Sequence, residues 1–330
     1  MIIENILDLI QTQTFFALER FEGETDVYLK LEGLNLAGSI KIKTALRMLK
    51  GLETRQMVSP GRNKIIESSS GNLGIALSMI CHERGYEFCC VVDPNISPRS
   101  LELIRLYGGR IEFVTEPDPN GGYLQSRIQR IEELLAADPT LVWTNQYANP
   151  DNVLAHYETT AVEIHSQFPK LDFLFIGAGT TGTLVGCARY FAEKSPLTKI
   201  IAVDPVGSVT FGGPSKRRLI PGLGTSRRPE ITCLDNVHKV ITVSEEDTIR
   251  TSLEVLDRYS LFIGPSTGTV LHGVRCYPLD FQKNATIVVI SPDFGDKYLD
   301  TVYNPAWVQK HYAMAELTDA ACQPSRPGKG

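Results

Sequence analysis

Two lysines, Lys41 and Lys43, open a segment built to be helical, "GSIKIKTALRML", from Gly38 to Leu49. Gly38–Ser39 reads as an N-cap, and Thr44-Ala-Leu-Arg-Met-Leu supplies good helix formers in apolar spacing. The first turn of a helix carries partial positive charge from its free N–H groups, so an ammonium there is disfavoured. A lysine in that place is either exposed and tolerated, or held neutral with a lowered pKa. Neutral lysines form Schiff bases with carbonyl groups. Two solvated lysines are the ordinary outcome, so the segment needs company before it implies chemistry.

Three more segments provide it. "ESSSGNLG", Glu67 to Gly74, sets three hydroxyls, a glycine and Asn72 before a helix, a donor-rich turn suited to a carboxylate, although serine-rich caps are common. "GAGTTGT", Gly177 to Thr183, follows the apolar run "LDFLFI" and opens a helix, as a phosphate cradle would. Its spacing is not GxGxxG and it lacks the P-loop lysine, which leaves a dinucleotide site as the competing reading. "GPSTGT", Gly264 to Thr269, repeats the turn into a helix and places a hydroxyl at Ser266. Ligands of open α/β sheets bind outside the carboxyl ends of strands, where these turns fall. A phosphate cradle, a carboxylate loop, a placed lysine and an isolated serine together point to pyridoxal phosphate acting on an amino acid.

The elements that must position these turns alternate along the chain. "NLGIALSMICHERG" reads as a helix and "EFCCVV" as a buried strand. "SPRSLELIRLYGG" reads as a helix capped by Ser97 with Pro98 in its first turn. The helix "GGYLQSRIQRIEELLAAD" places Leu124, Ile128, Ile131, Leu134 and Leu135 on one face. A helix after "NQYANPDN" does the same with Val153, Leu154, Tyr157, Ala161, Ile164 and Phe168. Strands "LDFLFI", "IIAV", "KVITV", "LFIG" and "ATIVVIS" follow, with helices between most of them. Apolar strands alternating with helices mean parallel sheets covered on both faces. The expected fold is α/β with two domains, each with a mainly parallel sheet flanked by helices. Residues 38–148 form the smaller one, and 1–37 plus 149–310 the larger; 311–330 is expected to be a disordered tail. The stretch "PVGSVTFGGPSKRRLIPGLGTSRRPE" interrupts the pattern, and a long ordered loop of this kind is usually functional.

Composition narrows the function. The chain has 330 residues, 42% hydrophobic and 22% charged, with a net charge of −5. That balance, with no long basic run, gives no support for nucleic-acid or membrane-surface binding. The start, "MIIENILDLIQ", lacks the basic region of a signal peptide, and no apolar stretch approaches spanning length. Seven cysteines form no CxxC pair and six histidines have no ligand spacing, so no metal is expected. A cytoplasmic location fits that cysteine usage.

Five segments, in order, resemble the cysteine synthase superfamily, fold type II (tryptophan synthase β-like) of the pyridoxal-phosphate enzymes. "NLAGSIK" is similar to its Asn-Pro-x-Gly-Ser-x-Lys, and "SSGNLG" to its Thr-Ser-Gly-Asn-Thr-Gly. "GAGTTGT" is similar to Gly-x-Gly-Thr-Gly-Gly-Thr, "GPSTG" to Gly-x-Ser-Ser-Gly, and "FGDKYL" to Phe-Gly-Glu-Arg-Tyr-Leu. The match runs from about residue 10 to 305. The resemblance implies pyridoxal 5'-phosphate as cofactor and Lys41 as the Schiff-base lysine. It implies Asn72 at the cofactor's ring hydroxyl and Gly179, Thr180, Thr181, Gly182 and Thr183 at its phosphate. Ser266 falls at the pyridine nitrogen, a neutral partner suited to β-elimination and replacement. Ser69, Ser70 and Gln146 match positions that receive the substrate carboxylate. It also implies a homodimer.

Longer stretches, among them "VVDPNISPRSLELIRLYGG", "NQYANP", "PGLGTSRRPEI" and "GDKYLD", resemble one branch of that superfamily. The branch joins O-phospho-L-serine to L-glutamate through an aminoacrylate, with loss of phosphate, in 2,3-diaminopropionate and siderophore synthesis. Two anionic substrates need cations, and Lys216, Arg217, Arg218, Arg227 and Arg228 in the long loop supply them. Arg127 is a further candidate, and Tyr147, next to Gln146, either shapes the acceptor side or packs. The alternative is an O-acetylserine or O-phosphoserine sulfhydrylase, whose sulfide acceptor needs no cationic pocket.

Overall fold

The apolar runs pair into two separate sheets in the computed structural model, which describes residues 4–10, 13–118, 122–277, 285–312 and 314. The larger sheet has six strands: β1 (Phe15–Glu22), β2 (Thr25–Leu31), β7 (Phe173–Gly177), β8 (Lys199–Pro205), β9 (Lys239–Val243) and β10 (Ile287–Ser291). Their order is β1-β2-β10-β7-β8-β9. The smaller sheet has four: β3 (Lys64–Ser68), β4 (Glu87–Val92), β5 (Arg110–Phe113) and β6 (Leu141–Trp143), in the order β5-β4-β3-β6. Every pairing is parallel except the β1–β2 hairpin. The hairpin escaped the sequence reading, because β1 buries only part of one face and lacks a clear apolar run.

Ten α-helices join these strands among the described residues: α1 (Lys41–Thr54), α2 (Asn72–Arg84), α3 (Pro98–Leu106), α4 (Leu124–Ala137), α5 (Asp151–Ala155), α6 (Ala161–Gln167), α7 (Gly182–Lys194), α8 (Glu245–Tyr259), α9 (Pro265–Cys276) and α10 (Pro305–Tyr312). The caps explain several boundaries. Ser97 accepts from the Ser100 amide at 3.2 Å with Pro98 in the first turn, as read from sequence. Ser244 caps α8 through the Asp247 amide at 3.0 Å. Core packing follows the strand period: in β7, Phe173 and Phe175 join one cluster, while Leu174 and Ile176 join the cluster on the opposite face. A third cluster packs α1 and α2 on β3 and β4, with Ile42, Ala45, Met48 and Leu49 buried.

Four expectations change. The N-cap of α1 is Ile40, in helical conformation and without a side-chain cap bond, rather than Gly38–Ser39. "LFIG" forms only an isolated bridge, Ile263 with Phe294. The single helix after "NPDN" is split by a π turn at His156–Thr160 between α5 and α6. One extra residue in that turn rotates the following face, which an unbroken 3.6-residue period cannot register. Of the expected tail, only 311, 312 and 314 lie within the described residues, and His311 and Tyr312 end α10. The long loop after β8 carries no helix or strand until β9, as expected.

Candidate active site

Lys41 is the first residue of α1 and is partly buried. Burial pulls its pKa down from 10.5 to about 8, while the carboxylate of Glu67 acts in the opposite direction. Desolvation, rather than the helix terminus invoked from the sequence, is therefore the leading cause. Lys43, two residues on, faces elsewhere and is not solvated. It lies 2.9 Å from Glu32 and 2.7 Å from Glu163, and the same two carboxylates hold Lys30 at 3.1 and 2.6 Å. All four side chains are buried, so the quartet ties the helix that carries Lys41 to β2 and α6.

Glu67, the last but one residue of β3, is a fully buried carboxylate with four donors. It accepts from the Ser68 amide (2.8 Å), Trp143 Nε1 (3.0 Å), Thr144 Oγ1 (2.6 Å) and the Gln146 amide (3.0 Å). Burial raises its pKa and these bonds oppose the rise. The arrangement docks the serine loop against the turn bearing Gln146, whose Nε2 also reaches Ser68 O at 3.2 Å. Ser69 Oγ accepts from the amides of Gly71 (3.3 Å) and Gly74 (3.0 Å), holding the loop closed at the start of α2. Ser70 Oγ donates to Asp93 Oδ2 at 2.8 Å and accepts from Arg127 Nη1 at 2.8 Å. Arg127 and Asp93 themselves pair at 3.2 Å. The arginine on α4 is thus brought directly to the serine loop.

Asn72, first residue of α2, donates from Nδ2 to Asp293 at 2.7 Å and accepts on Oδ1 from Lys297 Nζ at 2.6 Å. Asp293 also accepts from Tyr298 Oη at 2.7 Å. The segment after β10 therefore closes over the start of α2.

The glycine–threonine loop lies at the start of the 13-residue α7. Thr180 and Thr181 are buried, and Thr180 Oγ1 accepts from Asn152 Nδ2 at 3.0 Å. Thr183 Oγ1 lies 3.2 Å from His156 Nε2, and that nitrogen lies 3.0 Å from Thr44 Oγ1 on α1. Burial holds His156 well below the ordinary histidine pKa, assisted by Lys41 and Lys43. It is thus a neutral hydrogen-bonding link between the lysine helix and the threonine loop. Gly182 packs directly on Asn152, leaving no room for a side chain. A Cβ at Gly222 would lie 2.5 Å from Ser266 Oγ, which is buried in the first turn of α9.

Pyridoxal phosphate fits this donor set. The loop at the head of α7 offers backbone N–H groups and three threonine hydroxyls to a phosphate. Lys41 has the lowered pKa that Schiff-base formation requires, and Ser266 offers a neutral hydroxyl. Ser39 Oγ, Ser68 Oγ and Asp293 Oδ1 are buried beside these loops without a hydrogen-bond partner, a sign of a site with unused polar capacity.

The cations divide. Burial raises the phenol pKa of Tyr147; Arg127, Glu67, Arg218 and Arg227 all act on it, the three arginines lowering it. Arg218 is partly buried and donates to Gly207 O, while Arg227 is exposed and paired with Glu230. Arg217 and Lys216 instead line a cavity of about 350 Å³ with Glu245, Glu246 and His311. None of the loops around Lys41 contributes to that lining, so Arg217 is not brought to them. Sequence reasoning missed Glu67, Asn152, His156, Asp293 and Lys297. Only Glu67 carried a local signal, a carboxylate closing an apolar strand run.

The chain belongs to the pyridoxal-phosphate dependent enzyme family, whose model matches residues 6–293. The individual relatives are more specific. It is 40% identical over 313 residues to N-(2-amino-2-carboxyethyl)-L-glutamate synthase of Ralstonia nicotianae, covering 94% of this chain and 92% of that one. The enzyme of the same name from Cupriavidus metallidurans is 39% identical over 332 residues, covering 98% and 97%. Among solved structures, O-ureido-L-serine synthase superposes with a TM-score of 0.85 at 29% identity, covering 97% of this chain and 99% of that one. The O-acetylserine dependent cystathionine beta-synthase from Helicobacter pylori gives 0.82 at 27% identity, covering 91% and 98%. No helix among the described residues is long and apolar enough to cross a membrane.

Proposed function

We propose that this enzyme joins O-phospho-L-serine to L-glutamate, giving N-(2-amino-2-carboxyethyl)-L-glutamate and inorganic phosphate. The bond from Cβ to the phosphate oxygen breaks, and a bond from Cβ to the glutamate nitrogen forms as that nitrogen loses a proton. Bound pyridoxal phosphate supplies the electron withdrawal that makes the α-proton removable and the β-substituent a leaving group. The chain supplies the rest. Lys41, with an amine that is neutral in part at pH 7–8, would serve as the base that takes the α-proton. Ser69, Ser70 and Gln146 receive the donor carboxylate, and the loop from Gly179 to Thr183 anchors the cofactor phosphate. Asn72 serves the ring hydroxyl and Ser266 the ring nitrogen.

The observation that carries the acceptor is the place of Arg127. It is bonded to Ser70 of the serine loop and acts, with Arg218 and Arg227, on Tyr147 beside Gln146. A desolvated dicarboxylate requires such cations; sulfide does not. The relatives of the same name at about 40% identity support the same reading. We further propose a division into a 38–148 domain and a 1–37 plus 149–310 domain, a homodimer, and a cytoplasmic location. The six described cysteines, all unpaired, support the last.

The test is phosphate release and product mass with O-phospho-L-serine and either L-glutamate or sulfide. A glutamate adduct formed with stoichiometric phosphate is the expected result. Cysteine from sulfide, with no glutamate adduct, would replace this reading by the sulfhydrylase.

A further inference from the structure

The segment "PDFGDKY" after β10 carries a lysine that the proposed chemistry leaves without a task. Lys297 is partly buried, and its ammonium reaches Asn72 Oδ1 at 2.6 Å and Gly38 O at 3.0 Å. Asn72 is held from its other side by Asp293, whose Oδ2 lies 2.7 Å from Nδ2. Asp293 is fixed in turn by Tyr298 Oη, and its backbone bonds Gly264 at the head of α9. A carboxamide between an ammonium and a carboxylate has one orientation. Turned over, it would set its nitrogen against a cation and its oxygen against an anion.

We infer that Lys297 is a positioning residue for the cofactor ring, acting through Asn72. With Oδ1 committed to Lys297 and one N–H to Asp293, the second N–H of Asn72 remains as the donor for a ring oxygen. The ammonium also places a positive charge one side chain away from that oxygen, favouring its ionised form. Without Lys297, the amide loses the partner that keeps its oxygen turned away, and a flipped amide would present an acceptor to an acceptor. The inference rests on the reading of Asn72 at the ring hydroxyl.

The experiment compares purified wild-type holoenzyme with Lys297→Met, Lys297→Arg and Asn72→Leu. The visible absorption of bound cofactor is recorded across pH, and pyridoxal phosphate is titrated into each stripped protein. Lys297→Met should bind pyridoxal phosphate about tenfold more weakly, the effect of losing one charge-assisted bond. Its visible band should give way to the near ultraviolet at a higher pH than in wild type, reporting a raised ring-hydroxyl pKa. Lys297→Arg, which keeps the charge and the donor, should restore both. A role confined to tethering the segment would change thermal stability and leave the band in place. If Lys297→Met matches wild type while Asn72→Leu does not, the role of Lys297 is refuted and that of Asn72 stands. If neither variant alters spectrum or affinity, the reading of Asn72 itself is refuted. Lys297→Ala, which introduces no new bulk, reads the same way should Lys297→Met fail to fold.

Discussion

Asn152 and Thr180 are joined by a 3.0 Å hydrogen bond from the asparagine amide to the threonine hydroxyl, and that amide also donates to Gln146 O at 2.8 Å. Its oxygen accepts from Thr44 Oγ1 at 3.2 Å. One fully buried side chain therefore holds the Gly177–Thr183 loop, the turn bearing Gln146 and the helix α1 in fixed relation. Replacement by leucine leaves Thr180 Oγ1 and Gln146 O without their donor, while Thr44 Oγ1 keeps His156, a loss of about 2–4 kcal/mol in stability. Urea unfolding of Asn152→Leu checks that magnitude, and pyridoxal phosphate titration should show weakened binding as well. Wild-type affinity in a destabilised variant would mean that the phosphate loop keeps its shape without Asn152.

Lys41 is predicted to cost stability where it gives activity. Its pKa falls from 10.5 to about 8 on folding, so between those values the unfolded chain binds more protons than the folded one. Stability then rises with pH through that window, and the cost of the desolvated ammonium is fully present below pH 8. Lys41→Met should therefore abolish turnover and stabilise the cofactor-free protein at pH 7 by on the order of 2 kcal/mol. The gain should shrink as pH approaches the unfolded-state value. Unfolding curves for the two proteins at several pH values measure this; a gain independent of pH would locate it in packing instead.

Local features were legible in the sequence wherever neighbours along the chain decide them. The Ser97 cap, the alternation of strand and helix, and the turns carrying Lys41, Asn72, Thr180 and Ser266 all rest on contacts within a few residues. What escaped depends on distant pairs. Lys43 bonds Glu163 across 120 positions and Asn72 bonds Asp293 across 221, and nothing beside either residue announces its partner. The π turn at His156–Thr160 was hidden for a different reason. Its extra residue changes which side chains face inward, and composition is unaffected. The loop arginines looked equivalent as a run, yet Arg218 is partly buried against Gly207 O while Arg217 lines another cavity.

That division yields a kinetic contrast. Arg127 is mostly buried, with 13% of its side chain exposed, and it touches Ser70 and Asp93. Arg127→Lys preserves charge but not the planar guanidinium whose Nη1 reaches both Ser70 and Asp93, and should raise the KM for glutamate tenfold or more while changing kcat less. Arg217→Ala should leave KM and kcat for both substrates within about twofold, because solvent-exposed charges away from the reacting groups contribute little. Steady-state kinetics with each substrate varied in turn decide the matter. Equal effects of the two substitutions would remove the argument for Arg127 as the acceptor cation.

Thr181 adopts φ +67°, the left-handed region, immediately before α7. A β-branched residue pays roughly 1–2 kcal/mol for that conformation, which glycine accepts freely. The resemblance drawn above has glycine at this position, so the chain carries strain where the family pattern carries none. In return, Thr181 Oγ1 lies 3.2 Å from Thr232 Oγ1, tying the Gly177–Thr183 loop to the segment after the arginines. Thr181→Gly removes the strain and the tie together, and it adds about 0.5–1 kcal/mol of unfolded-state entropy to be lost on folding. Its stability should stay within about 1 kcal/mol of wild type, while pyridoxal phosphate should bind less tightly and leave faster from the loosened loop. Urea unfolding and cofactor dissociation kinetics measure the two effects separately. Tighter cofactor binding in Thr181→Gly would show that strain, rather than the hydroxyl tie, governs the loop.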